Sequence, residues 1–248
     1  MSSPRTTAAT VPPRAGAALP ILLLPGFLCD ARAYSGLIGP LSRQVSVHVA
    51  NLTHSDCIEV LAAQVLRQAP LRFVALGHSL GGMVAMAMLR QAPERMAHLA
   101  LLDADPLPEQ TPIRDWRVEL MDRVDRGGLG EVVAEMLPGL VGNGPARTDA
   151  LTLWRTMAVD LGPGVFLRQA RALCDRRDQQ DTLERARPGA LVLAGADDRM
   201  CPRDQQERLV TLLPKARLEF IAASGHLPTL EAADATAGAV NAWLRDTI

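Results

Sequence analysis

The sequence lacks the features that would indicate a large charged partner or a membrane. Its formal net charge is −1 over 248 residues, so no electrostatic argument favours nucleic acid or an anionic lipid surface. No apolar stretch approaches the length that spans a bilayer. The N-terminal apolar run is interrupted by Pro20 and leads directly into Pro25 and Gly26, which is unlike a signal peptide. We therefore expect neither a nucleic-acid partner nor a membrane partner.

Cysteine and aromatic residues are both scarce. The four cysteines, Cys29, Cys57, Cys174 and Cys201, form no C-x-x-C pair, which argues against a zinc site and against a disulfide scaffold. Free thiols in a reducing cytosol are the simpler interpretation, so we expect a cytoplasmic protein without a metal. Aromatic residues make up 3% of the chain, which predicts a pocket lined mostly by Leu, Met, Val and Ala.

What is present is an alternation of strand-length apolar runs with helical patterns. The expected strands are 19–24, 45–50, 72–76, 99–102, 190–194 and 217–221. Continuous apolar runs suit strands that are covered on both faces, and their alternation with helices is typical of an α/β fold. We expect a mostly parallel, doubly wound sheet of about six strands.

Two segments do not follow this alternation. Residues 1–18 are rich in Pro, Ser, Thr and Ala without periodicity, which predicts a flexible N-terminal arm. Residues 105–187 contain helical patterns but no run that reads as a strand, with helices expected from Thr111, where the threonine is an N-cap followed by proline, and over 129–137, 148–161 and 164–174. The expected organisation is a core of 19–104 and 188–248, with 105–187 inserted as a helical lid over the carboxyl edge of the sheet.

The most informative stretch is Gly77-His78-Ser79-Leu80-Gly81-Gly82, which lies between a predicted strand and a run of helix formers. A strand that turns directly into a helix at G-x-S-x-G is the pattern of a nucleophile elbow. The two outer glycines stand where a Cβ would keep strand and helix apart. The pattern predicts that Ser79 is a nucleophile, the alternative being a glycine-rich turn whose serine only caps the helix.

A nucleophilic serine needs a general base from another loop at the same sheet edge. His226 fits, because it follows Gly225 in a loop just beyond the last predicted strand. The other histidines are expected in a strand, in a polar loop, at the opposite edge, and in the elbow pointing away from the serine (His48, His54, His98 and His78). His226 is therefore the candidate base.

The base needs an orienting carboxylate at another carboxyl strand end. Asp197 and Asp198 follow the strand 190–194, and only one of two adjacent side chains in a tight turn can face the histidine. Asp103 and Asp105 occupy a competing position, where turn formation and capping are the favoured interpretation.

Acyl chemistry also needs donors for a developing oxyanion. The backbone N–H of Leu80 is one, because it begins the helix after the serine. Phe27 is placed to supply the second, since Gly26 before it lets the backbone approach closely.

Together these motifs resemble the α/β-hydrolase fold family, most of all small bacterial esterases and lactonases near the enol-lactone hydrolases and the pimeloyl-carrier-protein methyl esterases. The resemblance runs from about residue 19 to the C-terminus. It rests on the oxyanion loop 24–27, the elbow 77–82, the acid loop Gly195-x-x-Asp198-x-x-x-Pro202 and the base loop Gly225-His226. Because the family's acid stands three residues after the glycine, the resemblance selects Asp198 over Asp197.

The sequence departs from the family pattern in three places. Pro25 stands where many members have histidine, although only a backbone N–H is needed two residues on. The family's usual D-x-x-G-x-G-x-S loop, which helps to shape the pocket, is replaced here by residues 51–55. The family's first two strands are not evident in residues 1–18.

The resemblance implies a serine hydrolase that cleaves a small carboxylic ester or lactone through an acyl-enzyme, without metal or organic cofactor, as a monomer or homodimer. Thioester, C–C or perhydrolase chemistry at the same triad is an alternative, as is a non-catalytic ligand-binding member of the fold. Trp116, Trp154 and Met157 in the lid are candidates for the substrate pocket, packing of the lid onto the sheet being the other interpretation.

Overall fold

The computed structural model describes residues 19–247, which contain one six-stranded, fully parallel sheet. The strands are β1 (Ile21–Leu24), β2 (Val47–Val49), β3 (Phe73–His78), β4 (Met96–Leu102), β5 (Gly189–Gly195) and β6 (Ala216–Ile221). The helices are α1 (Ser35–Ser42), α2 (Ile58–Gln68), α3 (Leu80–Gln91), α4 (Thr111–Asp125), α5 (Leu129–Leu140), α6 (Arg147–Cys174), α7 (Gln180–Glu184), α8 (Arg203–Thr211), α9 (Pro228–Glu231) and α10 (Ala233–Thr247). The predicted α/β class and strand number are confirmed.

The strand order is β2-β1-β3-β4-β5-β6, so the elbow strand β3 lies in the interior of the sheet. Leu24 pairs in register with Gly77, and His78 pairs with Leu102. Because the strands are parallel, the loops after β1, β3, β4 and β5 leave the sheet at one edge, where ligands bind in open α/β sheets. This topology brings together the loops that the sequence singled out.

Helices cover both faces of the sheet, which is why the central strands are apolar along their whole length. On one face α1 and α10 bury a cluster that includes Tyr34, Leu37 and Trp243. On the other, α2, α3 and α8 pack against alternate residues of the same strands, with Leu61, Val84 and Leu209 in their core.

The segment between β4 and β5 is helical, as expected. Its helices α4, α5 and α6 share a core of their own, which includes Leu120, Val132 and Trp154. Helix α6 is kinked at Gly162, whose φ of 78° breaks the helical path before Pro163, so the two predicted helices form one bent element.

Some local predictions differ from the structure. Thr111 is the first helical residue rather than the N-cap, which is Gln110. The short helices α7 and α9 were not predicted from the sequence. The predicted arm 1–18 lies outside the described residues. Among residues 19–247, no helix is long and apolar enough to cross a membrane.

Candidate active site

Ser79 occupies a strained turn between β3 and α3. Its φ of 50° and ψ of −116° are unusual for a residue with a side chain, and its backbone N–H is held by the carbonyl of Leu102 at 2.8 Å. A Cβ on Gly77 would collide with the backbone of Gly81, and one on Gly81 would collide with the backbone of Leu24. The two glycines therefore let strand, turn and helix approach as the sequence pattern predicted.

The side chains of Ser79, His226 and Asp198 form a chain of hydrogen bonds. The Nε2 of His226 lies 2.9 Å from the Oγ of Ser79, and its Nδ1 lies 2.8 Å from the Oδ2 of Asp198. The Oδ1 of Asp198 accepts the N–H of Met200 at 2.8 Å. Asp197, the neighbouring carboxylate, is exposed to solvent.

Asp198 is held as an anion although it is buried. Burial by itself would raise its pKa, but the charge and hydrogen bond of His226, with hydrogen bonds from Asp103 and from Met200, hold the pKa of the Asp198 carboxyl well below its usual value. A fixed anion at Nδ1 favours the tautomer whose Nε2 can accept a proton from Ser79.

Asp103, which follows β4, does more than form a turn. Its side chain is fully buried, and its Oδ1 accepts the N–H of Gly195 at 3.0 Å, which fixes the start of the acid loop. Burial, then the charge of Asp198 and a hydrogen bond with it, raises the pKa of Asp103 well above its ordinary value. Asp103 therefore holds its proton more tightly than an ordinary carboxyl group, and the expectation of a turn or capping role for it is incomplete.

The loop that carries His226 is anchored by a residue that the sequence did not reveal. The buried carboxylate of Glu231 accepts backbone N–H groups from Gly225 at 3.0 Å and from Leu227 at 3.0 Å, on either side of the histidine. It also accepts the N–H of Gly142, beyond the end of α5, at 2.7 Å. No sequence motif pairs Glu231 with Gly142, because the two residues meet only through the tertiary fold.

His78 also holds the loop that carries His226. Its Nε2 lies 2.6 Å from the backbone oxygen of His226, so it donates its proton there. Burial, followed by the charge of His226, lowers the pKa of His78 to about 3, which keeps the ring neutral. A Cβ on Gly26 would lie 2.6 Å from the Nδ1 of His78, so the ring also explains why the oxyanion loop has glycine here.

Leu80 directly follows Ser79, and Phe27 lies in the wall of the same cavity as Ser79. Leu80 begins α3, so its N–H has no acceptor within the helix. Phe27 follows β1, and the loop is fixed by Gln169 of α6, whose Oε1 accepts the N–H of Leu28 at 2.8 Å and whose Nε2 donates to Leu52 at 3.0 Å. Gln169 is fully buried and was not anticipated from the sequence.

A cavity of about 550 Å³ lies between the lid and this edge of the sheet, with Ser79 and His226 in its wall. Trp116 and Trp154 line it, and the indole of Trp154 donates to the carbonyl of Phe27 at 3.3 Å. Met157 is fully buried among the lid helices and does not appear in the cavity wall.

The same wall contains a buried cluster of opposite charges from the lid and the loop after β4. Glu109 lies between two guanidinium groups, with its Oε2 at 2.7 Å from the Nε of Arg117 and its Oε1 at 2.6 Å from the Nη1 of Arg176. Asp105 contacts the Nη2 of Arg176 at 3.2 Å. Charges this well buried need partners, so the cluster joins the loop after β4 to α4 and to the segment after α6.

One group of metal-ligand residue types occurs within this site. Asp198, Cys201 and His226 present ligand atoms within 4.8 Å of one another. Two of these atoms already bond each other, and burial, with the nearby charge of Asp198, raises the pKa of the Cys201 thiol well above its ordinary value. To bind a metal here, Cys201 would have to be a thiolate and His226 would need a free ring nitrogen. The donor set therefore does not fit a metal.

Comparison with known proteins shows the family to which this fold and site correspond. A family model described as the alpha/beta hydrolase family matches residues 21–239. The pimeloyl-[acyl-carrier protein] methyl ester esterase of Nitrosomonas europaea is 23% identical over 226 residues, which are 85% of this chain and 89% of that protein. The enzyme of the same description from Salmonella agona is 26% identical, over 84% and 87% of the two chains.

Solved structures share the fold. A thermophilic esterase from Thermogutta terrifontis superposes with a TM-score of 0.85 and 26% identity, over 94% of this chain and 91% of that one. The enol-lactonase from Burkholderia xenovorans superposes with a TM-score of 0.82 and 20% identity, over 94% of each chain. At 20% identity, the second likeness concerns the fold alone.

Proposed function

The chain belongs to the alpha/beta hydrolase family, and we propose that it is a serine hydrolase that cleaves small carboxylic esters or lactones through an acyl-enzyme. The observation that carries the proposal is the hydrogen-bonded chain from Ser79 through His226 to Asp198, with distances of 2.9 and 2.8 Å. The first contact fits a nucleophile and its general base, and the second fits a base and the carboxylate that orients it.

In the first half of the reaction, Ser79 Oγ attacks the carbonyl carbon of the substrate while His226 Nε2 takes the hydroxyl proton. The tetrahedral intermediate collapses when His226 returns that proton to the leaving oxygen, which breaks the ester C–O bond. In a lactone the leaving hydroxyl stays attached to the acyl group.

In the second half, a water molecule attacks the acyl carbon and gives its proton to His226. The bond to Ser79 Oγ then breaks, the serine regains its proton, and the carboxylic acid leaves. Asp198 keeps the imidazole in the required tautomer throughout and stabilises its transient positive charge.

The N–H groups of Phe27 and Leu80 stabilise the negative oxygen of both tetrahedral intermediates. Donors of this kind act where charge develops, in a site that excludes water. The hydrogen bond that Gln169 accepts from the N–H of Leu28 supports this role, because it holds the backbone after Phe27 in place before substrate arrives.

The test combines an active-site label with a substrate panel. A fluorophosphonate probe should label the protein at Ser79, and a panel of p-nitrophenyl esters, lactones and thioesters should show turnover of esters or lactones. A folded protein that the probe fails to label would instead favour a non-catalytic binding member of the fold. Faster turnover of thioesters than of any oxygen ester would assign a different reaction to the same triad.

A further inference from the structure

The guanidinium group of Arg117 is buried, lines the catalytic cavity and is only partly paired. The residue is 6% exposed, and its Nε bonds to Glu109 at 2.7 Å. Among the residues that the structure describes, no oxygen accepts a hydrogen bond from its Nη1 or Nη2. Four N–H donors of a buried cation are thus left facing the cavity.

Arg176, in the same cluster, has a hydrogen-bond acceptor for each of its side-chain nitrogens. Its Nε donates to the carbonyl of Leu107 at 2.8 Å, its Nη1 to Glu109 at 2.6 Å and its Nη2 to Asp105 at 3.2 Å. All three nitrogens of Arg176 have acceptors, whereas only one nitrogen of Arg117 has one. Arg117 and Arg176 are both buried, so burial does not explain why Arg117 has fewer hydrogen-bond acceptors.

The position of Arg117 points to a ligand rather than to packing. Its guanidinium carbon lies 5.8 Å from the centre of the Phe27 ring, and the backbone N–H of Phe27 is one of the proposed oxyanion donors. The Nη donors of Arg117 are open to the cavity, and a planar guanidinium fork matches the two oxygens of a carboxylate. The carboxylates of Asp105 and Glu109 are both engaged by Arg176, which leaves the free side of Arg117 turned toward the cavity.

We propose that Arg117 binds a free carboxylate of the substrate, so that the preferred substrates are esters or lactones that carry a second, anionic carboxylate. The inference rests on the proposed function and names its substrate class. The remainder of the cavity wall suits an apolar chain between the two groups, since it includes Ile113, Trp116 and Met136.

The test compares esters that differ only in the distal group. Monomethyl succinate, glutarate and adipate carry the carboxylate on the acyl side, and acetyl esters of hydroxy acids carry it on the alcohol side. Each is paired with the neutral molecule in which the carboxylate is a primary amide. Hydrogen bonds to charged groups predict that kcat/KM favours the best anionic ester by about 10- to 100-fold.

Three variants assign the preference to one side chain. Arg117→Gln should abolish the preference, because it should lower kcat/KM for the anionic ester about 10- to 100-fold more than for its amide. Arg117→Lys keeps the charge without the planar fork and should keep part of the preference. Arg126→Gln, which removes an exposed arginine directly after the same helix, should keep all of it.

Two results would overturn the proposal. One is a wild-type enzyme that shows no preference for the anionic partner in either series. The other is an Arg117→Gln protein that keeps the wild-type unfolding temperature and lowers both activities equally, so that the preference for the anionic ester remains.

A binding measurement separates this proposal from the proposed function. Titration of Ser79→Ala protein with succinate, glutarate and adipate should show binding that is lost when Arg117→Gln is added. If no ester turns over and the probe leaves Ser79 unlabelled, the proposed function fails, while loss of dicarboxylate binding in the double variant would still support the anion site. Dicarboxylate binding that survives Arg117→Gln, or is absent from Ser79→Ala, would refute the site.

Discussion

The carboxylate of Glu231 accepts the backbone N–H of Gly142 at 2.7 Å, which joins the lid to the loop that carries His226. The same buried carboxylate accepts the N–H of Gly225 and that of Leu227. The backbone N–H of His226 bonds to the carbonyl of Leu140, at the end of α5, at 2.8 Å. His226 is thus positioned by the lid as well as by the core.

Glu231→Gln should destabilise the protein and lower kcat. An amide offers one acceptor where the carboxylate offers two, and its NH₂ would face backbone donors, so we expect a loss of about 2–4 kcal/mol of unfolding free energy. Urea denaturation measures the stability, and kcat against KM shows whether the base has moved. Glu184→Gln, on the exposed face of α7, is the control. Wild-type values for both quantities would contradict the anchoring role of Glu231.

Ser79→Ala should reduce kcat by about 10⁶-fold, because the members of a triad act as a unit. The variant should fold, since alanine is smaller and the backbone of the elbow is held by its glycines and by Leu102. Single-turnover assays with the best ester measure the loss, and Ser42→Ala, on an exposed helix end, is the control. Residual activity near that of the wild type would remove Ser79 from the mechanism.

The two buried aspartates near His226 should differ in their effect on catalysis. Asp198→Ala should lower kcat by about 10³- to 10⁴-fold, because the imidazole loses its orienting anion. Asp103→Asn should change kcat by less than about tenfold, the value of one neutral hydrogen bond, since the amide oxygen can still accept from Gly195. The reverse order of effects would identify Asp103 as the orienting acid.

The same Asp103→Asn variant should be more stable than the wild type at neutral pH. The raised pKa of Asp103 means that the unfolded chain loses a proton above pH 3.8 that the folded state keeps, so this group lowers stability as the pH rises through that window. Asparagine does not titrate, so its advantage should grow with pH. Denaturation at several pH values measures it, and an advantage that is constant with pH would contradict a protonated Asp103.

His78 should make the protein lose stability in mild acid. Burial lowers its pKa from 6.5 to about 3, so between these values the unfolded chain binds a proton that the folded state does not. The free energy of unfolding should therefore fall as the pH drops through this window, by about 1.4 kcal/mol per pH unit for one proton.

His78→Gln tests that proton directly. Glutamine can still donate to the backbone oxygen of His226 but does not titrate, so the slope of stability against pH should decrease by one proton. Urea denaturation measured through the acid range gives the slope, and His54→Gln, whose side chain is exposed, is the control. An unchanged slope in His78→Gln would show that another group takes up the proton.

Local chemistry made most of the fold predictable. The helix after the elbow runs over Leu80–Gln91, as the pattern indicated, because helix formers follow directly on Ser79 and Pro93 ends the run. Parallel strands were predictable because apolar runs without alternation are stable only when both faces are covered. The family prediction is confirmed by the family model that matches residues 21–239. It was possible because motifs with steric requirements, such as Gly77 and Gly81, can be identified without a structure.

The sequence by itself thus determined the sheet, the elbow and the histidine loop, because each depends on residues close together in the chain. Tertiary structure alone decided the partners that meet across long separations: Glu231 with Gly142, Asp103 beneath Asp198, and Arg117 beside Phe27. A buried carboxylate or guanidinium in a sequence resembles an exposed one until packing removes the water around it. Which charges remain unpaired after that, and so which ligand the cavity can take, depends on how the lid packs against the sheet.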